Sequence, residues 1–179
     1  MVYIILADGF EEAEALIPAD LLRRAGMETA LVSVGDEFVT GAHGITVKTD
    51  VPLAHIDLSK AEMLVLPGGL GGVNEMCSQP TLQALLQVAQ EQEIWIAAIC
   101  AAPTLLAKWG VLNGKKAVCY PGMEGQLTGA EAQPGQAVVV DGKIITARAA
   151  GSGFDFALAM IEALAGPEKA KEVQHAIHY

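Results

Sequence analysis

The chain is predicted to fold as an α/β protein, with a mostly parallel sheet and helices on both of its faces. Apolar segments of strand length alternate along the sequence with segments of helical periodicity. Hydrophobic residues make up 52% of the 179 residues but aromatic ones only 5%, a mix typical of parallel strands covered by helices. Several strand-like segments also end in the kind of turn at which such sheets bind ligands.

The first half of the chain shows this alternation clearly. Val2–Leu6 is a compact apolar strand that runs into a turn, and a helix follows over 11–25, with apolar residues three and four positions apart. Gly26 is placed to end this helix. The next predicted elements are a strand over 28–34, a hairpin of 37–40 with 45–49, a buried strand over 61–66, a glycine-rich turn at 67–72 and a helix over 81–92.

The second half continues with a strand over 94–99 and a helix over 104–109. A short strand is predicted over 116–120, and Asp141-Gly142 joins a hairpin of 136–140 with 143–147. Two helices, 154–165 and 168–175, close the sequence on either side of Gly166-Pro167. Because no linker, repeat or low-complexity segment divides the chain, we expect one domain spanning residues 1–179.

Composition excludes several classes of function. Eleven basic residues against 21 acidic ones give a net charge of −10, which disfavours binding to nucleic acid. Three cysteines, an odd number, argue against a disulfide framework and for a reducing compartment. Neither a secretion signal nor a membrane-spanning run is visible, so we expect a cytoplasmic protein without a membrane partner.

Cys100 stands where the apolar run 94–99 meets small residues and Pro103. Proline suits the first turn of a helix, so Cys100 is expected in a tight strand-to-helix turn, the cysteine counterpart of a serine nucleophile elbow. The partial positive charge at a helix N-terminus favours the thiolate. This placement predicts a depressed pKa and oxidation of Cys100 before Cys77 and Cys119. The alternative is a small buried core cysteine.

Glu14 and the pair Gly68-Gly69 follow two other predicted strands, so all three features are expected at one edge of the sheet. A glutamate in the first turns of a helix otherwise only complements the helix dipole in solvent. The glycines offer backbone amides for an oxyanion hole, as does Ala101 after the cysteine, or they form a plain tight turn.

Other patterns do not indicate a site. The glycine-rich run 68–72 is not followed by Gly-Lys-Ser/Thr and is therefore not a phosphate-binding loop. The four histidines lack metal-ligand spacing, so no metal site is expected, and only His43, in a hairpin turn, is of interest.

Four motifs follow one another over residues 2 to about 175. They are GFEEAE with IPADLLRRAG (9–14 and 17–26), VLPGG (65–69), AAICAAP (97–103) and GSGFDFAL (151–158). In order and spacing they resemble the DJ-1/ThiJ/PfpI superfamily, and its DJ-1 branch in particular. The resemblance implies a flavodoxin-like, or Rossmann-like, three-layer sandwich that forms a homodimer. Apolar residues of the first helix, Ala13, Ile17 and Ala19, add support for a dimer.

The resemblance also implies roles for individual residues. Cys100 matches the family's easily oxidised cysteine, and Glu14 matches the glutamate whose carboxyl hydrogen-bonds the sulfur and its oxidised form. Gly68 and Gly69 match the loop that presents backbone amides.

Two departures from the family pattern bear on function. Ala101 stands where the protease-like branch has a histidine after the cysteine, so a peptidase is not supported. Tyr120 fills a position near the thiol where the DJ-1 branch commonly has histidine, and tyrosine, with a reference pKa near ~10, is a poor proton shuttle at neutral pH. His43 replaces an arginine expected on the first hairpin, and Arg24 remains available as a further pocket residue.

The resemblance implies two kinds of function. One is a cofactor-independent glyoxalase or deglycase that acts on a small 2-oxoaldehyde or a glycated substrate, turning methylglyoxal into lactate and protecting against carbonyl and oxidative stress. The other is a non-catalytic redox sensor or redox-regulated chaperone, in which Cys100 is oxidised to a sulfinate and Glu14 donates a hydrogen bond to it. Tyr120 favours weak catalysis and leaves the two open.

Overall fold

Strands and helices alternate along the computed structural model, which describes residues 1–179. The strands are β1 (Val2–Leu6), β2 (Thr29–Ser33), β3 (Phe38–Thr40), β4 (Thr46–Lys48), β5 (Val51–Pro52), β6 (Met63–Leu66), β7 (Trp95–Ile99), β8 (Lys116–Ala117), β9 (Glu131–Ala132), β10 (Val138–Asp141) and β11 (Ile144–Ala147). The helices are α1 (Glu12–Arg24), α2 (Leu70–Cys77), α3 (Pro80–Glu91), α4 (Ala102–Lys108), α5 (Gly153–Ala165) and α6 (Pro167–Ala176).

Seven strands form the central sheet, in the order β10-β11-β7-β6-β1-β2-β5. All neighbouring strands in it are parallel except β10 and β11, which form an antiparallel hairpin at one edge. The hairpin β3–β4 and the short pair β8–β9 lie outside this sheet. The predicted α/β class, with a mostly parallel sheet, is confirmed.

Two hydrophobic cores lie on opposite faces of the sheet. Strand β1 is buried along its whole length, and its successive side chains point alternately into one core and the other. Tyr3 and Ile5 pack with residues of α2, α3 and α4, whereas Val2, Ile4 and Leu6 pack with residues of α1, α5 and α6. The protein is therefore a flavodoxin-like sandwich of three layers, as predicted.

Three local predictions need correction. The run 67–72 is not only a turn, because α2 begins at Leu70. The strand predicted over 116–120 ends at Ala117, and the Val118 N–H donates instead to the Thr146 hydroxyl at 3.0 Å. Ala19, offered above as support for a dimer, is only 5% exposed and packs inside the chain's own core.

The arrangement of the strands positions the site. From β1 the chain crosses to β2 on one side, and β6 then pairs with β1 on the other. This reversal of direction is the place where open α/β sheets bind ligands, beyond the carboxyl ends of the strands. Because β1, β6 and β7 are neighbours, the turns that follow them meet at one edge. No helix of the structure has the length and apolar character needed to cross a membrane.

Candidate active site

Cys100 lies in the turn between β7 and α4, as predicted, in a backbone conformation with φ of +66°. Positive φ is uncommon for a residue other than glycine, and surrounding structure must hold it in place. The Cys100 N–H donates to the Ala147 carbonyl at 3.0 Å, and its carbonyl accepts the Tyr120 N–H at 2.8 Å. The side chain is half-buried, so this cysteine is not sealed in the core.

Glu14 projects from the first turn of α1 toward the sulfur and is only 1% exposed. Its carboxyl is hydrogen-bonded to the Cys100 thiol and accepts the Gly68 N–H at 2.8 Å and the Ala150 N–H. The alternative of a solvated carboxylate that only complements the helix dipole is therefore wrong.

The Glu14–Cys100 pair retains a proton over a wide pH range. Burial raises the pKa of Glu14 to about 7, although the hydrogen bonds with Cys100 and Gly68 oppose the rise. Burial, followed by the charge of Glu14 and the hydrogen bond with it, raises the pKa of the Cys100 thiol to about 12. Two adjacent buried negative charges are unfavourable, so the pair titrates as a unit and holds one proton between these values.

The prediction of a depressed pKa for Cys100 is consequently wrong. The N–H groups of Gly69 and Ala101 do hydrogen-bond the sulfur and lower its pKa, but burial and Glu14 outweigh them. A thiolate forms without two adjacent charges when the Cys100 proton moves to Glu14. The protonated carboxyl then donates a charge-assisted hydrogen bond to the sulfur.

The predicted set of oxyanion donors is also corrected in part. The Gly68 N–H is committed to Glu14, so the amides close to the sulfur are those of Gly69 and Ala101. Gly68 has a different use, because a Cβ there would lie 2.4 Å from Glu14 Oε2 and 2.6 Å from Cys100 Cβ. Only glycine allows the loop to approach this pair so closely.

A cavity of about 550 Å³ opens beside Cys100. Its walls are formed by Glu11, Gly69, Leu70, Cys100, Ala101, Tyr120, Pro121, Gly122, Met123 and Gln126. Glu11 is the one acidic side chain among them, and no basic side chain joins them. The cavity suits a small uncharged molecule within reach of the sulfur.

Of the three predicted auxiliary residues, the structure brings only Tyr120 to the cavity. Arg24 lies at the far end of α1, ten residues or about 15 Å from Glu14 along the helix, and forms an ion pair with Asp20 at 2.9 Å. Within a single chain Arg24 therefore does not reach the cavity. His43 does not line the cavity either, although it binds α1 next to Glu11.

His43 joins the β3–β4 hairpin to the start of α1. Its Nδ1 lies 2.8 Å from Glu12 Oε2 and 3.7 Å from Glu11 Oε1, so the three residues bring metal-ligating atoms within 4.8 Å of one another. Burial opposes ionisation of Glu12, but hydrogen bonds from His43 and from the Ile45 amide lower its pKa to about 2. Because the Glu12 carboxylate already has hydrogen bonds with the His43 ring, the His43 amide and the Ile45 amide, we interpret this cluster as an ion pair.

The other two cysteines have different surroundings. Cys119 is buried, and burial together with the Glu124 charge raises its pKa to about 11. Cys77, at the end of α2, accepts a hydrogen bond from Lys108 Nζ at 3.0 Å. Neither lines the cavity beside Cys100.

Comparison with known proteins decides the family, because residues 1–163 match the model of the DJ-1/PfpI family. The chain belongs to this family. Protein dj-1beta of Drosophila melanogaster is 43% identical over 172 residues, 95% of this chain and 92% of that protein. The solved structure titled "Toxoplasma gondii DJ-1, oxidized" superposes with a TM-score of 0.94 at 35% identity and covers 99% of this chain and 97% of that one.

Two relatives carry names that state an activity. The glutathione-independent glyoxalase DJR-1.2 of Caenorhabditis elegans is 30% identical over 160 residues, 89% of this chain and 85% of that protein. A deglycase of Pyrococcus abyssi is 31% identical over 151 residues, 84% of this chain and 90% of that protein.

Sequence reasoning missed several residues of this DJ-1/PfpI site. Glu11 lies within the motif at 9–14, and Ala150 directly precedes the motif at 151–158, but neither residue has a pattern of its own that indicates a site. Leu70, Met123 and Gln126 line the cavity from α2 and from the segment after β8, where the sequence holds no pattern specific to a site.

Proposed function

We propose that this DJ-1/PfpI protein converts 2-oxoaldehydes into 2-hydroxy acids, with methylglyoxal giving lactate. The observation that supports this most is the pairing of buried Glu14 with half-buried Cys100, which lines a cavity. It supplies a nucleophile and, in the same hydrogen bond, a group that takes and returns protons near neutral pH. The names of the glyoxalase and deglycase relatives agree with such chemistry.

The reaction begins when the Cys100 proton moves to Glu14 and the thiolate attacks the aldehyde carbon. A C–S bond forms, the carbonyl π electrons move to oxygen, and that oxygen takes up a proton, giving a hemithioacetal. The amides of Gly69 and Ala101 lie next to the sulfur, where they stabilise the developing negative charge.

Glu14, again ionised, then removes the proton from the former aldehyde carbon and delivers it to the neighbouring carbon, while the hydroxyl proton of the hemithioacetal passes to the former ketone oxygen. The pair of carbons thereby exchanges oxidation states, the ketone becoming a secondary alcohol and the hemithioacetal a thioester. Water cleaves the thioester to the 2-hydroxy acid and restores the thiol. The sum is one 2-oxoaldehyde plus one water, so the route needs no cofactor. A pKa of about 7 for Glu14 suits a group that both takes and gives protons near neutral pH.

The second candidate is a redox sensor or redox-regulated chaperone. The observation that favours it is the set of donors around the sulfur, since a protonated Glu14 and the two amides suit the oxygens of a Cys100 sulfinate. Tyr120, which stands where the DJ-1 branch commonly has histidine, is a further reason to keep this candidate.

The test is the formation of lactate from methylglyoxal by the purified protein. We expect lactate to form with the wild type and to be lost in Cys100→Ala, whereas Cys77→Ala, altered outside the cavity, retains it. Absence of lactate with the wild type rejects the glyoxalase function and leaves the redox role.

We further propose that the protein acts as a homodimer in the cytoplasm, in keeping with three cysteines that form no disulfide.

A further inference from the structure

The wall of the Cys100 cavity is more apolar than a three-carbon substrate requires. Leu70 is 64% exposed and Tyr120 48% exposed, and both line the cavity together with Met123 and Pro121. Large apolar side chains left open to solvent around a concave site commonly mark the surface that a ligand covers.

The volume of the cavity also indicates a substrate larger than methylglyoxal. A cavity of about 550 Å³ lies within the range of sites that enclose drug-sized molecules, and methylglyoxal fills only a small part of it. Because Leu70, Tyr120 and Met123 line the same cavity as Cys100, a substrate that fills it places an apolar group against them.

The charged residues of the cavity wall further restrict the class of substrate. Glu11 is the one charged side chain of the wall, and neither lysine, arginine nor histidine lines the cavity to neutralise an acidic substituent. The net charge of the chain, −10, also disfavours the binding of anions. The substituent is therefore neutral as well as apolar.

We propose that Leu70, Tyr120 and Met123 select 2-oxoaldehydes with a bulky apolar or aromatic substituent over methylglyoxal. This proposal rests on the function proposed above and names the substrate class of the same site. The aldehyde carbon sits at Cys100, and an aromatic substituent packs against the Tyr120 ring and the Met123 thioether, contacts that add to simple burial of area. Leu70, from α2, adds a further apolar contact on the cavity wall.

The first experiment compares kcat/KM for phenylglyoxal, which yields mandelate, with kcat/KM for methylglyoxal. The ratio of the two removes effects common to both substrates. We expect the ratio to fall about tenfold in Leu70→Ala and in Tyr120→Ala, the scale typical of lost apolar contacts in a pocket. Val140→Ala is the matched control, because Val140 is also apolar and 53% exposed but lies on β10, outside the cavity, and it keeps the wild-type ratio. A ratio unchanged in both pocket variants overturns the proposal.

The second experiment tests the apolar selectivity of the cavity without substrate turnover, so it also applies if neither substrate is converted. The intact protein is alkylated with iodoacetamide or with 2-iodo-N-phenylacetamide, which share one reactive group and differ by a phenyl ring. Labelling of Cys100 is followed by peptide mass spectrometry and referred to N-acetylcysteine under the same conditions. We expect the phenyl reagent to be preferred about tenfold at Cys100, and the preference to be lost in Leu70→Ala and Tyr120→Ala.

Preferred labelling of Cys100 by the phenyl reagent, in a protein that forms neither lactate nor mandelate, would reject the glyoxalase function and retain the apolar selectivity of the cavity. Equal labelling by the two reagents, or a preference that survives in both variants, overturns the selectivity.

Discussion

The pKa values of Glu12 and Glu14, two positions apart on α1, are shifted in opposite directions because the two carboxyls face different partners. Glu12 accepts hydrogen bonds from the His43 ring and from backbone amides, and these outweigh burial and bring its pKa to about 2. Glu14 faces a sulfur and is buried beside it, which raises its pKa to about 7. Residue type and helical position are nearly the same for both, so the surroundings of each carboxyl determine what it does.

Glu14→Gln is expected to stabilise the protein at pH 8 more than at pH 5. The native pKa of Glu14, about 7, lies above its ordinary value of 4.5, so its contribution to stability is fully present below pH 4.5 and is lost as pH rises through 7. The loss is on the order of 3 kcal/mol, and glutamine, which does not titrate, avoids it. Urea unfolding of both proteins at the two pH values gives the difference in unfolding free energy. A difference that does not grow with pH would contradict the raised pKa.

Cys100 is expected to be oxidised by mild peroxide before Cys77 and Cys119. The amides of Gly69 and Ala101 and the carboxyl of Glu14 provide donors for its thiolate and for added oxygens, whereas Cys119 is buried beside Glu124. Peptide mass spectrometry of the treated protein locates the added oxygen. Lys108→Met serves as a control because it removes the ammonium next to Cys77 and should leave the order unchanged. Oxygen found first at Cys77 or Cys119 would refute the order.

At the scale of elements, the loop between β6 and α2 sets the distance between α1 and the elbow. Gly68→Ala places a Cβ 2.4 Å from Glu14 Oε2 and 2.6 Å from Cys100 Cβ, so the two side chains must separate. We expect lactate formation to fall at least tenfold, because an ångström of misplacement is costly at a reacting centre. Gly125→Ala is the control, since a Cβ there meets nothing within 4 Å. Unaltered activity in Gly68→Ala would show that the glycine is not required.

Most elements could be predicted from hydrophobic periodicity and turn residues, but α2 could not. Gly71 and Gly72 disfavour a helix by about 1 kcal/mol each and therefore indicated a loop. In the structure these glycines let α2 pack closely on the turn after β1, where a Cβ on Gly72 would lie 3.0 Å from the Phe10 nitrogen. Packing between elements distant in sequence outweighed the local preference.

Only part of the candidate site could be predicted from the sequence. Cys100, Glu14 and Gly69 follow three strands, and the carboxyl ends of neighbouring parallel strands share one edge, so their meeting could be expected. The pKa of Cys100 could not, because it depends on burial and on the direction in which Glu14 points. The distance of Arg24 from the cavity of its own chain follows from the length of helix between it and Glu14.

At the scale of the whole molecule, we expect a homodimer. Ala19 no longer supports this, since it is buried within the chain, and the expectation rests on the family resemblance. Sedimentation equilibrium at micromolar concentration should give a mass near twice the 18.7 kDa of one chain. A mass near that of a single chain would count against the dimer.

The order of the sheet also belongs to this scale. Alternation of strands and helices predicted a mostly parallel sheet, but the position of β6 and β7 on the opposite side of β1 from β2 is visible only in the structure. That reversal brings the turns after β1, β6 and β7 together, and so allows residues far apart in sequence to form one site.

The central claim is that Glu14 and Cys100 share one proton and that this pair does the chemistry. Its most direct test measures two quantities, Cys100 sulfinate after mild peroxide and lactate from methylglyoxal, in the wild type, Glu14→Gln and Glu14→Leu. Glutamine keeps a hydrogen-bond donor of similar shape but is no base, so Glu14→Gln should form sulfinate and no lactate. Leucine offers neither donor nor base, so Glu14→Leu should be impaired in both. Sulfinate and lactate formed equally by all three proteins would contradict the claim.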